Sequence, residues 1–476
     1  MKRVSSVGMW VMALACLAVV GMGYEVLREA AAEQERGVID GEVASERAAV
    51  LDFLGLLSRE PEVAGVALAR VRAGAARGDA ALLAEVMPFV RSKAMREELF
   101  GVLEGLAGDG ERRGLDEWRQ WVWTQPYPPR EDYAGFKALL YRLIDSRFEE
   151  YFDDDPAATI RLDEIRWGGV KRDGIPPLKD PTMVGVDAME ARYLDDDDVV
   201  FGVSFNGDAR AYPKRILAWH EMVKDVVGGL SINGVYCTLC GSMIVYATET
   251  GGKHYELGTS GFLYRSNKLM YDHGTKSMWS TFEGKPVVGP LVGEGIELER
   301  LYVVTTTWGE WKRRHPETTV LTLDTGHRRD YGEGVAYREY FGTDELMFDV
   351  PDGLRDRRLK NKDEVLALVG EGDVRERVAI AVGFLKKEPV YHLELGGKEL
   401  VVLTDESGAA RVYETGGRRI VSWDGIGEAI DGKEGRWGVS EAGMTGADGE
   451  VLARYPAHRA FWFGWRAVYP ETELVK

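Results

Sequence analysis

Cys237 and Cys240, in Tyr236-Cys237-Thr238-Leu239-Cys240-Gly241, place two thiols at the end of a predicted strand that runs into a glycine turn. Thiols at this spacing ligate a soft metal ion, cycle between dithiol and disulfide, or close a small disulfide loop. So short a loop constrains the unfolded chain by only about 2 kcal/mol. A chain of 476 residues that is 45% hydrophobic can bury its core without that help. A purely structural disulfide therefore explains the pair poorly. No second Cys-x-x-Cys occurs, so a closed four-cysteine zinc site within one chain is excluded. His220, in Ala218-Trp219-His220-Glu221-Met222, is the nearest upstream partner, with Met243, Met270 and His273 as further candidates. Thiolates combined with imidazole and thioether suit copper. The leading expectation is a mononuclear soft-metal site, copper favoured, held by His220, Cys237 and Cys240 for redox chemistry or metal handling. A thiol-dependent enzyme with Cys237 or Cys240 as nucleophile is an alternative.

A second group of residues is dense in small, hydroxylated and aromatic side chains. It runs through Gly258-Thr259-Ser260-Gly261-Phe262-Leu263-Tyr264, then Met270-Tyr271-Asp272-His273 and Met278-Trp279-Ser280. It misses the Gly-x-Ser-x-Gly nucleophile elbow by one position, so a serine hydrolase is weakly supported. Ser260, Tyr264, Asp272 and Trp279 are candidate ligand-binding residues in a rival reading. In that reading the protein is a non-catalytic glycan- or protein-binding module and the cysteines form a structural disulfide. The residues name neither a reaction nor a substrate. The acidic runs Asp153-Asp154-Asp155 and Asp195-Asp196-Asp197-Asp198 lack the alternating spacing of a calcium loop and read as solvated turns.

The elements that must carry these groups form a multi-domain α+β chain, with an N-terminal helical domain followed by a mostly β region built from two weakly related units. Met1-Lys2-Arg3 and the uncharged run from Val4 to Tyr24 mark residues 1–26 as a signal anchor or signal peptide, the anchor being favoured. The expected location is extracytoplasmic, periplasmic or at the cell surface, tethered to the membrane by that segment or secreted. Cys16 lies inside the run and reads as a buried anchor residue. Residues 27–150, rich in Ala, Leu, Glu and Arg at helical spacing, predict the helical domain. Short alternating apolar runs bounded by turn residues predict a first β-rich unit over 165–330 and a second, diverged one over 374–476. A formal charge of -18 argues against nucleic acid as a partner.

The two β units share a signature. Thr307-Trp308-Gly309-Glu310-Trp311 leads to Pro316-Glu317-Thr318, and Phe461-Trp462-Phe463-Gly464-Trp465 leads to Pro470-Glu471-Thr472. Each predicts a short amphipathic helix stopped by proline and followed by a strand. The cysteines, His220 and Ser260 occur only in the first unit.

Several motifs in one order resemble the "domain of unknown function 3179" family. They are Asp173-Gly174-Ile175-Pro176-Pro177-Leu178, Asn206-Gly207-Asp208-Ala209-Arg210-Ala211-Tyr212-Pro213, Trp219-His220-Glu221, Tyr236-Cys237-Thr238-Leu239-Cys240-Gly241, Ser260-Gly261-Phe262-Leu263-Tyr264 and Met270-Tyr271-Asp272. The resemblance implies frequent export in bacteria and archaea and maps the family's histidine and cysteines onto His220, Cys237 and Cys240. It implies no activity. His273 stands where the family usually has arginine.

Overall fold

The computed structural model describes residues 48–476 apart from 128, 154 and 372–375. The N-terminal segment expected to direct export lies outside the described residues. Among those residues, no helix is long and apolar enough to cross a membrane. The chain is an N-terminal helical region followed by a mostly β region with several sheets, and it divides into two compact units.

The first unit holds helices α1 (Val50–Gly55), α2 (Pro61–Gly74), α3 (Ala80–Val86), α4 (Lys93–Ala107), α5 (Leu115–Thr124) and α6 (Tyr133–Arg142). Their ends follow local chemistry. Pro61 opens α2, the Ser92 hydroxyl accepts the Met95 N–H at the start of α4, and Gly108 ends α4 at φ 72°. Helix α3 is buried along nearly its whole length, which its Ala and Leu side chains permit. Lys137 of α6 is wholly buried and donates to Glu85 and to the Ile165 carbonyl, both at 2.8 Å.

The second unit is built twice from one plan. Its first half contains β1 (Val199–Phe205), β2 (Asp208–Pro213), α7 (Lys214–His220), β3 (Met222–Val227), β4 (Leu230–Cys237) and β5 (Ser242–Ala247). The hairpin β6 (Leu257–Tyr264) and β7 (Asn267–Asp272) follows, then β8 (Val304–Thr307), α8 (Trp308–Arg314) and β9 (Thr319–Leu321). After a linking segment with the short helix α9 (Arg338–Phe341), the plan recurs. It gives β10 (Glu364–Val369), β11 (Arg377–Ala381), α10 (Val382–Leu385), β12 (Val390–Leu395), β13 (Lys398–Thr404) and β14 (Ala410–Glu414). Strand β15 (Val451–Tyr455) precedes the closing elements β16 (His458–Phe461), α11 (Trp462–Val468) and β17 (Glu473–Val475).

The pairing is the same in both halves. Strand β8 pairs antiparallel with β1, β1 with β2, and β9 joins β2 in parallel. Likewise β16 pairs with β10, β10 with β11, and β17 joins β11 in parallel. The shared Pro-Glu-Thr ends explain themselves. Trp311 donates to the Thr318 hydroxyl and Trp465 to the Thr472 hydroxyl, each at 2.9 Å, and each threonine donates onward to a carbonyl, of Ala209 or Arg377. A buried indole N–H must find an acceptor, and the threonine supplies it beside the incoming strand.

Three antiparallel strands follow in each half, β3–β4–β5 and β12–β13–β14. The first turn is Gly228-Gly229 in one and Gly396-Gly397 in the other, all four at positive φ as a tight hairpin turn requires. The second half extends its three strands into an eight-stranded sheet that nearly closes as a barrel, with His392 Nε2 donating to the Ile420 carbonyl at 2.9 Å across the gap. The second turn of this meander is Cys237–Gly241 in the first half and Thr404–Gly408 in the second. Cys237 pairs with Ser242, whereas Thr404 pairs with Ala410 across a loop one residue longer.

Candidate functional site

Cys237 is the last residue of β4 and Cys240 lies in the turn that follows. No disulfide joins them, and they are 2% and 0% exposed. Gly241 takes φ 58°, and a methyl group there would strike the Phe461 ring at 2.8 Å, so both the turn and the neighbouring strand require glycine. The Phe461 N–H donates to the Cys240 carbonyl at 2.7 Å. A methyl group at Gly464 of α11 would lie 2.8 Å from the Cys240 sulfur.

The β6–β7 hairpin supplies the second wall. Its turn residues Arg265 and Ser266 both have positive φ, a conformation that side chains disfavour. That turn places the Ser266 carbonyl 3.5 Å from the Cys240 sulfur, as an acceptor for the thiol, and the Asn267 amide 3.4 Å from the same sulfur, as a donor. The next residue, Lys268, contributes twice. Its backbone N–H donates to the Cys237 sulfur, and its ammonium, 3% exposed as a residue, donates to Glu221 Oε2 at 3.0 Å.

Glu221 is delivered by the end of α7. The helix stops there because Glu221 turns to φ 55°, a left-handed cap that glycine usually provides. The turn sends its carboxylate toward the cysteine strand. Thr238, between the two cysteines, donates to Glu221 Oε1 at 2.8 Å, and the Tyr337 hydroxyl lies 3.5 Å from that oxygen. Tyr340 of α9 donates to the Leu239 carbonyl at 2.7 Å, so the linking segment covers the turn.

The two thiols titrate apart. Burial opposes charge on Cys237 most strongly, but the Cys240 thiol and the Lys268 N–H outweigh it and hold Cys237 below the ordinary thiol value. Burial first, and then the neighbouring Cys237 sulfur, push Cys240 well above it. Cys237 is therefore the more readily ionised thiol of the pair and Cys240 the less readily ionised.

His220 does not join the sulfurs. As the last helical residue of α7 it points differently from Glu221: its Nδ1 donates to the Pro176 carbonyl at 2.9 Å, and its Nε2 accepts from the Tyr331 hydroxyl at 2.6 Å. The carbonyl can only accept, which fixes the neutral tautomer. Burial also lowers the His220 pKa. Both ring nitrogens are thus engaged away from Cys237 and Cys240. Among the described residues, no group of three or more His, Cys, Asp or Glu side chains is placed to hold a metal ion.

The other candidates lie on the β6–β7 hairpin and beside it. Ser260 is fully buried at an irregularity of β6 and donates to the Leu269 carbonyl at 2.6 Å. Asp272 and Trp279 are brought together, the indole donating to the carboxylate at 3.1 Å, and both are buried. Tyr264 is half-buried at the hairpin turn under the Arg265 guanidinium. Met243 and Met270 are core residues, and the His273 ring stacks on Tyr271 at 4.9 Å.

Sequence reasoning misses Glu221, Lys268 and Gly464 as site residues. A lysine inside the apolar run Asn267-Lys268-Leu269-Met270 was the available signal, since a lysine in a buried strand needs an acid partner.

The sequence model of one family, described as a protein of unknown function (DUF3179), matches residues 172–472. No curated protein and no solved structure matches the chain.

Proposed function

The chain belongs to the DUF3179 family, and we propose that its Cys237–Cys240 pair is a thiol–disulfide redox centre acting outside the cytoplasm. One observation carries this reading: two buried cysteines with no disulfide between them sit side by side, and their surroundings favour ionisation of Cys237 and oppose that of Cys240. That is the division of labour an attacking and a resolving thiol need. The charge-free N-terminal run supports the location. Because Tyr337 and Tyr340 lie over the turn, reaction requires the linking segment to part, so the observed rate is thiol reactivity scaled by the open fraction.

The test is alkylation of the native protein across pH, followed by exposure to a small disulfide. Cys237 should react with a pKa below that of Cys240, and oxidation should give an intramolecular Cys237–Cys240 disulfide reversibly. If neither thiol reacts in the native state, or oxidation yields only adducts with the reagent, the reading fails.

A soft metal ion on the same two sulfurs, copper first, is the second reading, favoured by their adjacency and burial. It predicts one bound copper per chain that is lost in the Cys237→Ser, Cys240→Ser double variant. Equal copper in both removes it.

A further inference from the structure

Oxidation of the pair needs a base for the resolving thiol, whose proton is the harder of the two to remove. If Cys237 and Cys240 act as a dithiol, as proposed above, the surrounding side chains nominate that base. We infer that Glu221 accepts the Cys240 proton and that Lys268 holds its carboxylate in place. The carboxylate is fixed from two sides. One carboxylate oxygen is bonded to Thr238, which lies between the cysteines, and the other to the Lys268 ammonium. Lys268 in turn reaches the Cys237 sulfur through its own backbone N–H. A glutamate in the left-handed region costs energy that a glycine would not, and a buried lysine–glutamate pair stabilises a fold little over apolar replacements. Neither feature is explained by stability alone.

Glu221 bears electrostatically on both sulfurs, raising both thiol pKa values. The charged and titratable groups around it are Lys268 of β7, Tyr337 of the linking segment, and Tyr236, Cys237 and Cys240 of β4 and its turn.

The reaction balances with a disulfide, RSSR, as oxidant. The Cys237 thiolate attacks one sulfur, forming Cys237–S–S–R and releasing RS⁻. Cys240 then gives its proton to Glu221 and its sulfur attacks Cys237. The protein disulfide forms and a second RS⁻ leaves, taking the proton back from Glu221 as RSH. Two electrons pass from the dithiol to RSSR.

Glu221→Gln separates a base from a mere neighbouring charge. Losing the negative charge lowers both thiol pKa values, so electrostatics alone would speed resolution. Losing the base slows it. With a small aromatic disulfide as probe, rapid mixing resolves release of the first thiolate from release of the second. The expected result for Glu221→Gln is a first step as fast as wild type or faster, with a Cys237 alkylation pKa shifted down. The second step should slow at least tenfold near neutral pH, its rate rising with pH where the wild type is flat. Glu221→Asp should recover part of the second step. Far-ultraviolet circular dichroism and retained first-step kinetics establish that the variant is folded; if it is not, Lys268→Gln in the same assay should slow the second step more than the first. Second-step rates at or above wild type in the folded variant overturn the assignment of Glu221. A wild-type protein whose Cys237 releases no first thiolate overturns the redox reading instead.

Discussion

The turns Cys237–Gly241 and Thr404–Gly408 occupy the same place in two copies of one plan, yet they are filled by opposite chemistry. The covering helix comes from the other half in each case. Helix α11 lies on the cysteine turn and helix α8 on the second one, where the Thr306 and Ser407 hydroxyls meet at 3.5 Å. The position corresponding to Gly464 in α11 is Glu310 in α8. Glycine leaves room for the Cys240 sulfur, whereas Glu310 reaches the fully buried Arg411 at 3.3 Å. Arg411 also holds Glu441 at 2.6 Å and Asp405 at 3.1 Å. Burial opposes the Glu310 charge, but Arg411 and Arg314 hold its pKa down to about 2. The second turn is thus locked by a charge cluster, while at the first the Cys240 sulfur packs directly against Gly464 and the buried Lys268–Glu221 pair lies beside the thiols. The two halves share a backbone plan, and only the first carries the thiols.

Four measurements would break or sharpen this contrast. Arg411→Met should be the most damaging, because three buried carboxylates lose their common partner; a loss of about 3–5 kcal/mol is expected in denaturant unfolding. A loss under about 1 kcal/mol would mean the cluster is not the lock described.

The second concerns pH. His458 opens β16 where Val304 opens β8, and burial, with help from Arg300, pushes its pKa down from 6.5 to about 3. A histidine kept neutral in the fold and protonated when unfolded contributes stability that is complete above pH 6.5 and lost as pH falls toward 3. His458→Val should therefore make stability less steep by about 1.4 kcal/mol per pH unit within that window. Parallel curves for the two proteins would contradict it.

Gly464→Ala comes third, with a loss of about 1–3 kcal/mol from overpacking. Unlike a general core defect it should also raise the Cys237 pKa, since a displaced Cys240 no longer lies against the Cys237 sulfur, where it favours ionisation. Alkylation against pH reads this directly, and an unchanged profile would separate α11 from the thiols.

The smallest effect belongs to Tyr340→Phe. Removing its bond to Leu239 should favour the open cover by about 0.5–1.5 kcal/mol. Native-state alkylation of Cys237 should accelerate roughly 2- to 10-fold with its pKa unmoved. No acceleration would place the barrier elsewhere.

Much of the fold was legible, because composition changes sharply between the helical and β regions and the tryptophan segments repeat their proline stop. The site was legible in part. Cysteine spacing exposes a pair, but nearness in sequence does not say which neighbour faces it. His220 and Glu221 are adjacent, and the left-handed turn at Glu221 sends one toward Pro176 and Tyr331 and the other toward Thr238. No periodicity reveals such a turn when the residue is not glycine. The kinship of the two turns was hidden for a different reason. Only a glycine is common to Cys-Thr-Leu-Cys-Gly and Thr-Asp-Glu-Ser-Gly, and the second loop is one residue longer.

The placement of Gly464 and Phe461 against Cys240 sets an order of events at the ribosome. Domains form as the chain emerges, N-terminal parts first. Here the cysteine strand is made well before its cover, so a nascent chain carries two uncovered thiols until α11 appears. Premature release, or truncation anywhere before β16, would leave them open to mispairing. The appearance of α11 decides when the chemistry of the pair becomes private.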